Sequence, residues 1–358
     1  MKLRPPPTIT VTTYKLPNHE PSTETLNLSM HNNHLYAAIG NIIHVIDTSS
    51  FTLLDTFNVA RTSSGSVKSV TFSNGHIFTS HQDHKIRVWK LGDNKRQKHI
   101  ATLPTLEDRL LRSVLPKNYV KVRRHRKKLW IEHYDVVSRL AVINKKLICS
   151  VSWDKYLKIW NVGDFRCVQS IKAHDDAIND VIVSAGSEIF TGSADRKIKI
   201  WGHVLGKYEL IATLEKHKSA GVNALALNND GSVLFSGASD CLILVWSKVH
   251  AHASGMVLNG VLRGHSKAIL CLINVRDLLF SGSADRTVRI WRRDYKREFC
   301  CLKVLDGYER PVRSLVVEQL EATFESKGGV NVRVFSESSN GVVKICMIED
   351  LNLLESSI

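Results

Sequence analysis

The chain has 358 residues, ample for a buried core, of which 43% are hydrophobic and 23% charged. That balance excludes a largely disordered chain, and no apolar run approaches the ~18 residues of a membrane-spanning helix. Lys+Arg 49 against Asp+Glu 34 gives a net charge of +15, which predicts attraction to something anionic.

The chain starts MKLRPPPTITV, a basic tip without an apolar core, so no secretory signal is expected. TITVTTY (8–14) is rich in β-branched residues and reads as a strand. A repeat then runs to the end of the chain. It is faint in AAIGNIIHVID, where Gly40 and Ile46 hold the two marker positions, and plain in HQDHKIRVW and SVSWDKYLKIW. FTGSADRKIKIW, FSGASDCLILVW and FSGSADRTVRIW follow, and then a degraded copy, SESSNGVVKIC, with Asn340 and Cys346 at the markers. Five copies place an Asp six residues before a Trp: Asp83/Trp89, Asp154/Trp160, Asp195/Trp201, Asp240/Trp246 and Asp285/Trp291. Successive end positions lie 43, 71, 41, 45, 45 and 55 residues apart. Within a unit, AILCLINV, LLFSGSA, TVRIW and EFCCLKVL read as four short strands with turns between them. A four-stranded antiparallel unit cannot bury both faces alone; repeated around an axis it makes a β-propeller.

These units resemble the WD-repeat family, although no Trp-Asp dipeptide ends them. The resemblance implies an all-β, seven-bladed β-propeller of four-stranded antiparallel blades, expected to occupy 1–358 as a single domain. Ring closure in that family pairs strands from the two chain ends. TITVTTY (8–14) is the candidate closing strand and DLNLLESSI (350–358) the competitor.

A His precedes four of the Trp residues at a nearly constant distance, giving four sets with the turn Asp: His133/Asp154/Trp160, His174/Asp195/Trp201, His217/Asp240/Trp246 and His265/Asp285/Trp291. With a strand hydroxyl each set has the composition of a hydrolase triad. Four equivalent sets at blade spacing, with no GxSxG, point instead to scaffold. In the family the residues resemble, such a set is a buried hydrogen-bond network. No phosphate-binding loop, dinucleotide fingerprint or HExxH motif is present, so no enzyme activity and no cofactor are expected. The seven cysteines include no CxxC pair and read as free thiols of a reducing compartment, without a zinc site.

The 71-residue step holds an insertion between blades 2 and 3, placed at 94–132. PTLEDRLLRSVLPK has a capping-box pattern at Thr105 and Asp108, and Leu106, Leu110, Leu111, Val114 and Leu115 share one helical face. The expectation is a short amphipathic helix lying on the propeller. Residues 117–128 follow with Lys117, Lys121, Arg123, Arg124, Arg126, Lys127 and Lys128 and no acid. Such a run suits a solvated loop, a docking arm for an acidic protein, a nuclear address or nucleic-acid contact, or anionic head groups. Val122-Arg123-Arg124-His125 lacks the leading aromatic or Leu and the Gly of phosphoinositide-binding propellers. Only Tyr119 and Trp130 flank the charge, fewer aromatics than RNA reading wants.

The insertion TLPTLEDRLLRSVLPKNYVKVRRHRKKLWIEHYDVVS, with SWDKYLKIW and KAHDDAIND after it, is similar to the plant JINGUBANG-like WD-repeat proteins from about residue 67 to 348. That resemblance implies a regulatory adaptor acting by protein interaction, cytoplasmic or nuclear and not secreted, and expected to be a monomer. Residues before the turn Asp project from a propeller face; there Trp153 stands out, either as a partner anchor or as packing for the insertion. The competing readings are a nucleic-acid-associated nuclear regulator and a substrate receptor of a cullin-type ubiquitin ligase. The second is weakened because WKLG, WNVG, WGHV, WSKV and WRRD lack the expected Trp-Asp-x-Arg.

Overall fold

The computed structural model describes residues 8–15, 26–58, 65–91, 96–123, 126–217, 220–248, 255–293, 299–320, 329–338 and 342–352. Seven four-stranded antiparallel sheets form the blades of a propeller. Blades 1 to 6 span residues 26–57, 67–103, 137–172, 178–214, 222–262 and 269–305, each with its strands in chain order. Blade 7 combines Leu315–Leu320, Gly329–Ser338 and Val342–Asn352 with the N-terminal strand Thr8–Lys15. That strand runs antiparallel to Val342–Asn352, from Thr8 opposite Glu349 to Lys15 opposite Val342. The start of the competing C-terminal segment, residues 350–352, lies inside the strand it pairs with.

Local chemistry sets the turns. Asn74 and Gly75, both at positive φ (49° and 72°), link the first two strands of blade 2 as a type I′ turn. Between the second and third strands, the turn Asp of blades 2 to 6 is followed by a residue in the left-handed region: His84, Lys155, Arg196, Cys241 and Arg286, with φ of 66–77°. Side-chain-bearing residues dislike that region. The Asp before each one offsets the strain by accepting the N–H two residues on, as from Tyr156 (2.9 Å), Lys197 (3.0 Å) and Thr287 (3.0 Å).

The core lies between neighbouring blades. Strand glycines allow the close approach: a Cβ on Gly192 would sit 2.8 Å from Val222 Cγ1, and one on Gly282 2.8 Å from Val312 Cγ1. Val222 opens the next blade, and Val312 lies in the segment that leads into it. Blade 7 meets blade 1 through Leu35, Ile46, Phe335 and Val343 and through buried polar contacts. Arg333 donates to Thr48 O (2.7 Å) and Glu318 Oε2 (3.0 Å), and the Thr48 hydroxyl donates to Glu318 Oε1. The Ser314 hydroxyl accepts from Leu28 N at 2.9 Å.

Gln97–Leu103 pairs with Ile86–Leu91 as the fourth strand of blade 2, so the insertion proper begins after Leu103 rather than at residue 94. It holds a helix, Leu106–Ser113, capped by Thr105, whose hydroxyl accepts from Asp108 N at 3.2 Å. A hairpin follows, Tyr119–Arg123 against Arg126–Leu129, so the basic run is a two-stranded ribbon and not a loop.

Candidate functional site

Blades 3 to 6 each bring together the predicted His, Asp and Trp around one strand hydroxyl. In blade 3, His133 Nδ1 lies 2.7 Å from Asp154 Oδ2, His133 Nε2 lies 2.8 Å from Ser150 Oγ, and Trp160 Nε1 donates to Ser150 Oγ at 2.9 Å. The corresponding distances are 2.8, 2.8 and 3.0 Å in blade 4 (His174, Asp195, Thr191, Trp201). They are 2.9, 3.0 and 2.9 Å in blade 5 (His217, Asp240, Ser236, Trp246). In blade 6 they are 2.8, 2.7 and 2.8 Å (His265, Asp285, Ser281, Trp291).

Every polar atom in such a set has a fixed task. One carboxylate oxygen accepts the turn N–H; the other accepts from the imidazole and, in blades 3, 4 and 6, from the N–H after the His, as with Tyr134 (3.1 Å) and Ser266 (3.0 Å). The imidazole therefore carries its proton on Nδ1 and accepts the hydroxyl proton at Nε2. Burial pushes the His133 and His265 imidazoles below the ordinary histidine range, against the pull of Asp154 and Asp285. For Asp154 and Asp285 burial works against ionisation, yet it is outweighed, for Asp154 chiefly by His133 and for Asp285 by Thr287 and His265, and both carboxyls lie below their usual range. In these two sets the resulting state is a neutral His clamped to an ionised Asp. Ser150, Thr191, Ser236 and Ser281 are wholly buried, and each hydroxyl also accepts an indole N–H. A substrate carbonyl has no path to such an oxygen.

Two further blades solve the same problem with residues that the repeat pattern did not single out. In blade 2 the hydroxyl of Thr79 accepts from Trp89 (3.0 Å) and meets His81 Nε2 (2.8 Å), a His on its own strand, while Asp83 pairs with Arg87 at 2.5 Å. In blade 7 Tyr308 takes the histidine's place, its hydroxyl 2.6 Å from Ser336 Oγ. The signal was present: Gly307-Tyr308 aligns with Gly264-His265. Asn340, the degraded turn position, lies outside the described residues.

The predicted binding residues fall on and beside the insertion. Trp153 is 45% exposed at the blade 3 turn, its N–H bonded to Val136 O at 3.0 Å. Lys117, Lys121 and Lys127 are exposed. Lys128 is half-buried and donates to His133 O at 3.2 Å, which ties the ribbon to blade 3. Arg123 and Arg126 pair through their backbones, and Arg124 lies outside the described residues.

The helix is seated opposite to expectation. Asp108, only 2% exposed, is its buried residue, ion-paired to Arg112 at 2.7 Å. Arg112 stacks on Trp130 (4.6 Å) and reaches Cys167 O (3.4 Å), while Arg109 pairs with Glu132 and Arg166 with Glu107. The polar face thus grips the propeller, and Leu106, Leu110, Leu111, Val114 and Leu115 point outward. Under the helix a cavity of about 190 Å³ is lined by Asp83, Arg87, Arg109, Lys128 and Glu132, with Asp83 paired to Arg87 and Glu132 to Arg109. Among the described residues no group of His, Cys, Asp and Glu could hold a metal ion, and no helix is long and apolar enough to cross a membrane.

Three segments, 165–202, 208–247 and 256–292, match the family described as WD domain, G-beta repeat, so the chain carries WD40 repeats. Each match starts at or beside the outer strand of one blade and ends one residue past the Trp of the next. The chain is similar to human Kinesin-like protein KIF21B, 27% identical over 192 residues, covering 48% of this chain and 12% of that protein. It is also similar to the mouse protein of the same name (25% over 198 residues; 48% and 12%) and to human Kinesin-like protein KIF21A (26% over 209 residues; 53% and 12%). The matches therefore span about an eighth of those relatives, and the likeness is to a short segment of far longer proteins.

Proposed function

We propose that this WD40-repeat propeller is a non-enzymatic scaffold, a regulatory adaptor that docks protein partners with acidic surfaces on one end of the ring. The observation that carries this reading is the contrast on blade 3. Its triad-like residues are buried and mutually satisfied, while Trp153 and the lysines of the adjoining ribbon are presented to solvent. A large exposed aromatic beside exposed charge suits an interface anchor. The fold adds support, because repeat rings work through loops held on a rigid frame. The likeness of the insertion to JINGUBANG-like proteins supports a plant regulator, in the cytoplasm or nucleus, as the finer identity.

The test is affinity purification with mass spectrometry from plant tissue, with and without nuclease. Wild type is compared with a variant carrying Gln at Lys117, Lys121, Arg123, Arg124, Arg126 and Lys127; Lys128 is spared because it holds His133 O. A nuclease-resistant protein set that disappears in the variant is expected. Loss of the set on nuclease treatment would replace this reading with the nucleic-acid one. An unchanged set would reject the ribbon as the docking arm.

A further inference from the structure

The inverted helix has a use only if something covers it. Leu106 and Val114 are 74% and 77% exposed, and Leu110, Leu111 and Leu115 are exposed between and beyond them. Spaced at i, i+4, i+5, i+8 and i+9, they form a ridge running the length of the helix, roughly 12 Å. Tyr119 and Val120, also exposed, carry the apolar surface onto the ribbon. The helix is held there: Asn118 Nδ2 donates to Arg112 O at 2.9 Å, and Trp130 N donates to Asn118 O at 2.9 Å.

A second local cost accompanies the ridge. Lys121 and Lys127 stand directly opposite each other in the ribbon register, and both are exposed. Like charges across a strand pair destabilise it. An outward leucine ridge and an opposed lysine pair, in one segment, both weaken the free protein and both favour a complex. Places where local rules are broken together are candidate functional sites.

We propose that this ridge seats an acidic amphipathic helical segment of a partner protein, its apolar residues laid along Leu106, Leu110 and Val114 and its Asp and Glu residues meeting Lys117, Lys121 and Lys127. Within the ridge Leu106, Leu110 and Val114, at i, i+4 and i+8, make a helical stripe that matches the apolar stripe of a second helix. Charge complementarity sets the sign of the partner, since 117–128 holds no acid. A second copy of this chain would bring lysines against lysines. The proposal rests on the reading of the insertion as a docking arm and names what that arm holds.

The probe is a fluorescent synthetic peptide of about five helical turns, with Leu at i, i+3, i+4 and i+7 and Glu flanking the stripe. Its controls are a scrambled isomer and a Lys-for-Glu version, and anisotropy is read against the full chain. Wild type should bind the patterned acidic peptide alone, more weakly as salt rises. Binding should fall at least about tenfold in Leu110→Ser/Leu111→Ser and again in Lys117→Gln/Lys121→Gln/Lys127→Gln, with thermal midpoints unchanged because every altered side chain is exposed. The proposal is overturned by absence of binding, by equal binding of either control peptide, by leucine-dependent capture on phosphatidylserine vesicles, or by leucine-dependent self-association in sedimentation. The two readings fail differently in the purification from tissue. If the lysine variant loses its partners while the leucine variant keeps them, the arm stands and the ridge falls; if both keep them, the arm falls as well.

Discussion

Blades 3 to 6 and the insertion between blades 2 and 3 treat polarity in opposite ways. In the blades the turn Asp has a donor on each carboxylate oxygen, and the apolar residues are packed between sheets. In the insertion a buried Asp108 and its Arg112 do the gripping, and the leucines are turned to solvent. Both pair the buried carboxylate with a basic or donor group, but Asp108 Oδ2, unlike the blade carboxylates, has no hydrogen-bond partner among the described residues. Only the blades also hide their apolar surface. The difference teaches that a repeated set of mutually bonded residues reads as frame, while a unique segment that leaves its apolar surface uncovered is the candidate place for a partner.

The largest break of that contrast is predicted at Asp285. Asp285→Ala leaves the His265 Nδ1–H and the N–H groups of Ser266 and Thr287 without their acceptor. At about 1–3 kcal/mol for each unsatisfied buried group, the loss should show as a marked fall in urea and thermal midpoints. An unchanged midpoint would refute the saturated-network account of the blades. Gly282→Ala comes next: its Cβ would meet Cys271 Sγ at 2.5 Å and Val312 Cγ1 at 2.8 Å, between blades 6 and 7. Overpacking of that kind costs about 1–3 kcal/mol. Full stability in this variant would mean that the blade junction yields easily, contrary to the close approach seen there.

Much of the ring was legible because propeller blades repeat. The Asp-to-Trp spacing fixed the turn and the third strand in each strong copy, and the four His positions followed at near-constant distance. The weak copies were harder for a physical reason: a network can be closed by any donor that reaches the hydroxyl. Tyr308 does so from the histidine's position and His81 from the strand itself, and neither matches a His-to-Trp template. The insertion was the least legible. Helical periodicity tells which residues share a face but not which way the face points, and a single polar cluster around Asp108 decided the direction. The ribbon was hidden by its charge, since seven Lys and Arg in twelve residues read as solvated loop.

Smaller effects sharpen the comparison within the ring. Tyr308→Phe removes one hydroxyl from Ser336 and should cost about 0.5–1.5 kcal/mol in urea unfolding, well below Asp285→Ala. A cost equal to the Asp variant would place Tyr308 in a network as extensive as the histidine ones. Acidification tests the protonation state of the sets. In the fold His133 and His265 titrate below the ordinary range, so between about pH 6.5 and their lowered values the unfolded chain binds protons that the native one refuses. Stability should therefore fall as pH drops through that window, and fall again further down as Asp154 and Asp285 resist protonation that the unfolded chain accepts. A flat thermal midpoint between about pH 7.5 and 5.5 would contradict a neutral His beside an ionised Asp.

The smallest effect on stability is expected at Trp153, where the two halves of the comparison meet. It precedes the buried Asp154 of the blade 3 network, and its backbone holds the turn through Val136 O, but its side chain is nearly half in solvent. Trp153→Ala keeps the backbone bond and removes a side chain that is nearly half in solvent, so the melting temperature should change by no more than about 0.5 kcal/mol warrants. Partner recovery should drop all the same, because a large exposed aromatic next to the ribbon is worth more in a complex than in the free ring. A large loss of melting temperature with normal recovery would make Trp153 part of the frame. Frame residues and partner residues would then alternate along a single strand-to-strand turn, and exposure alone would no longer separate them.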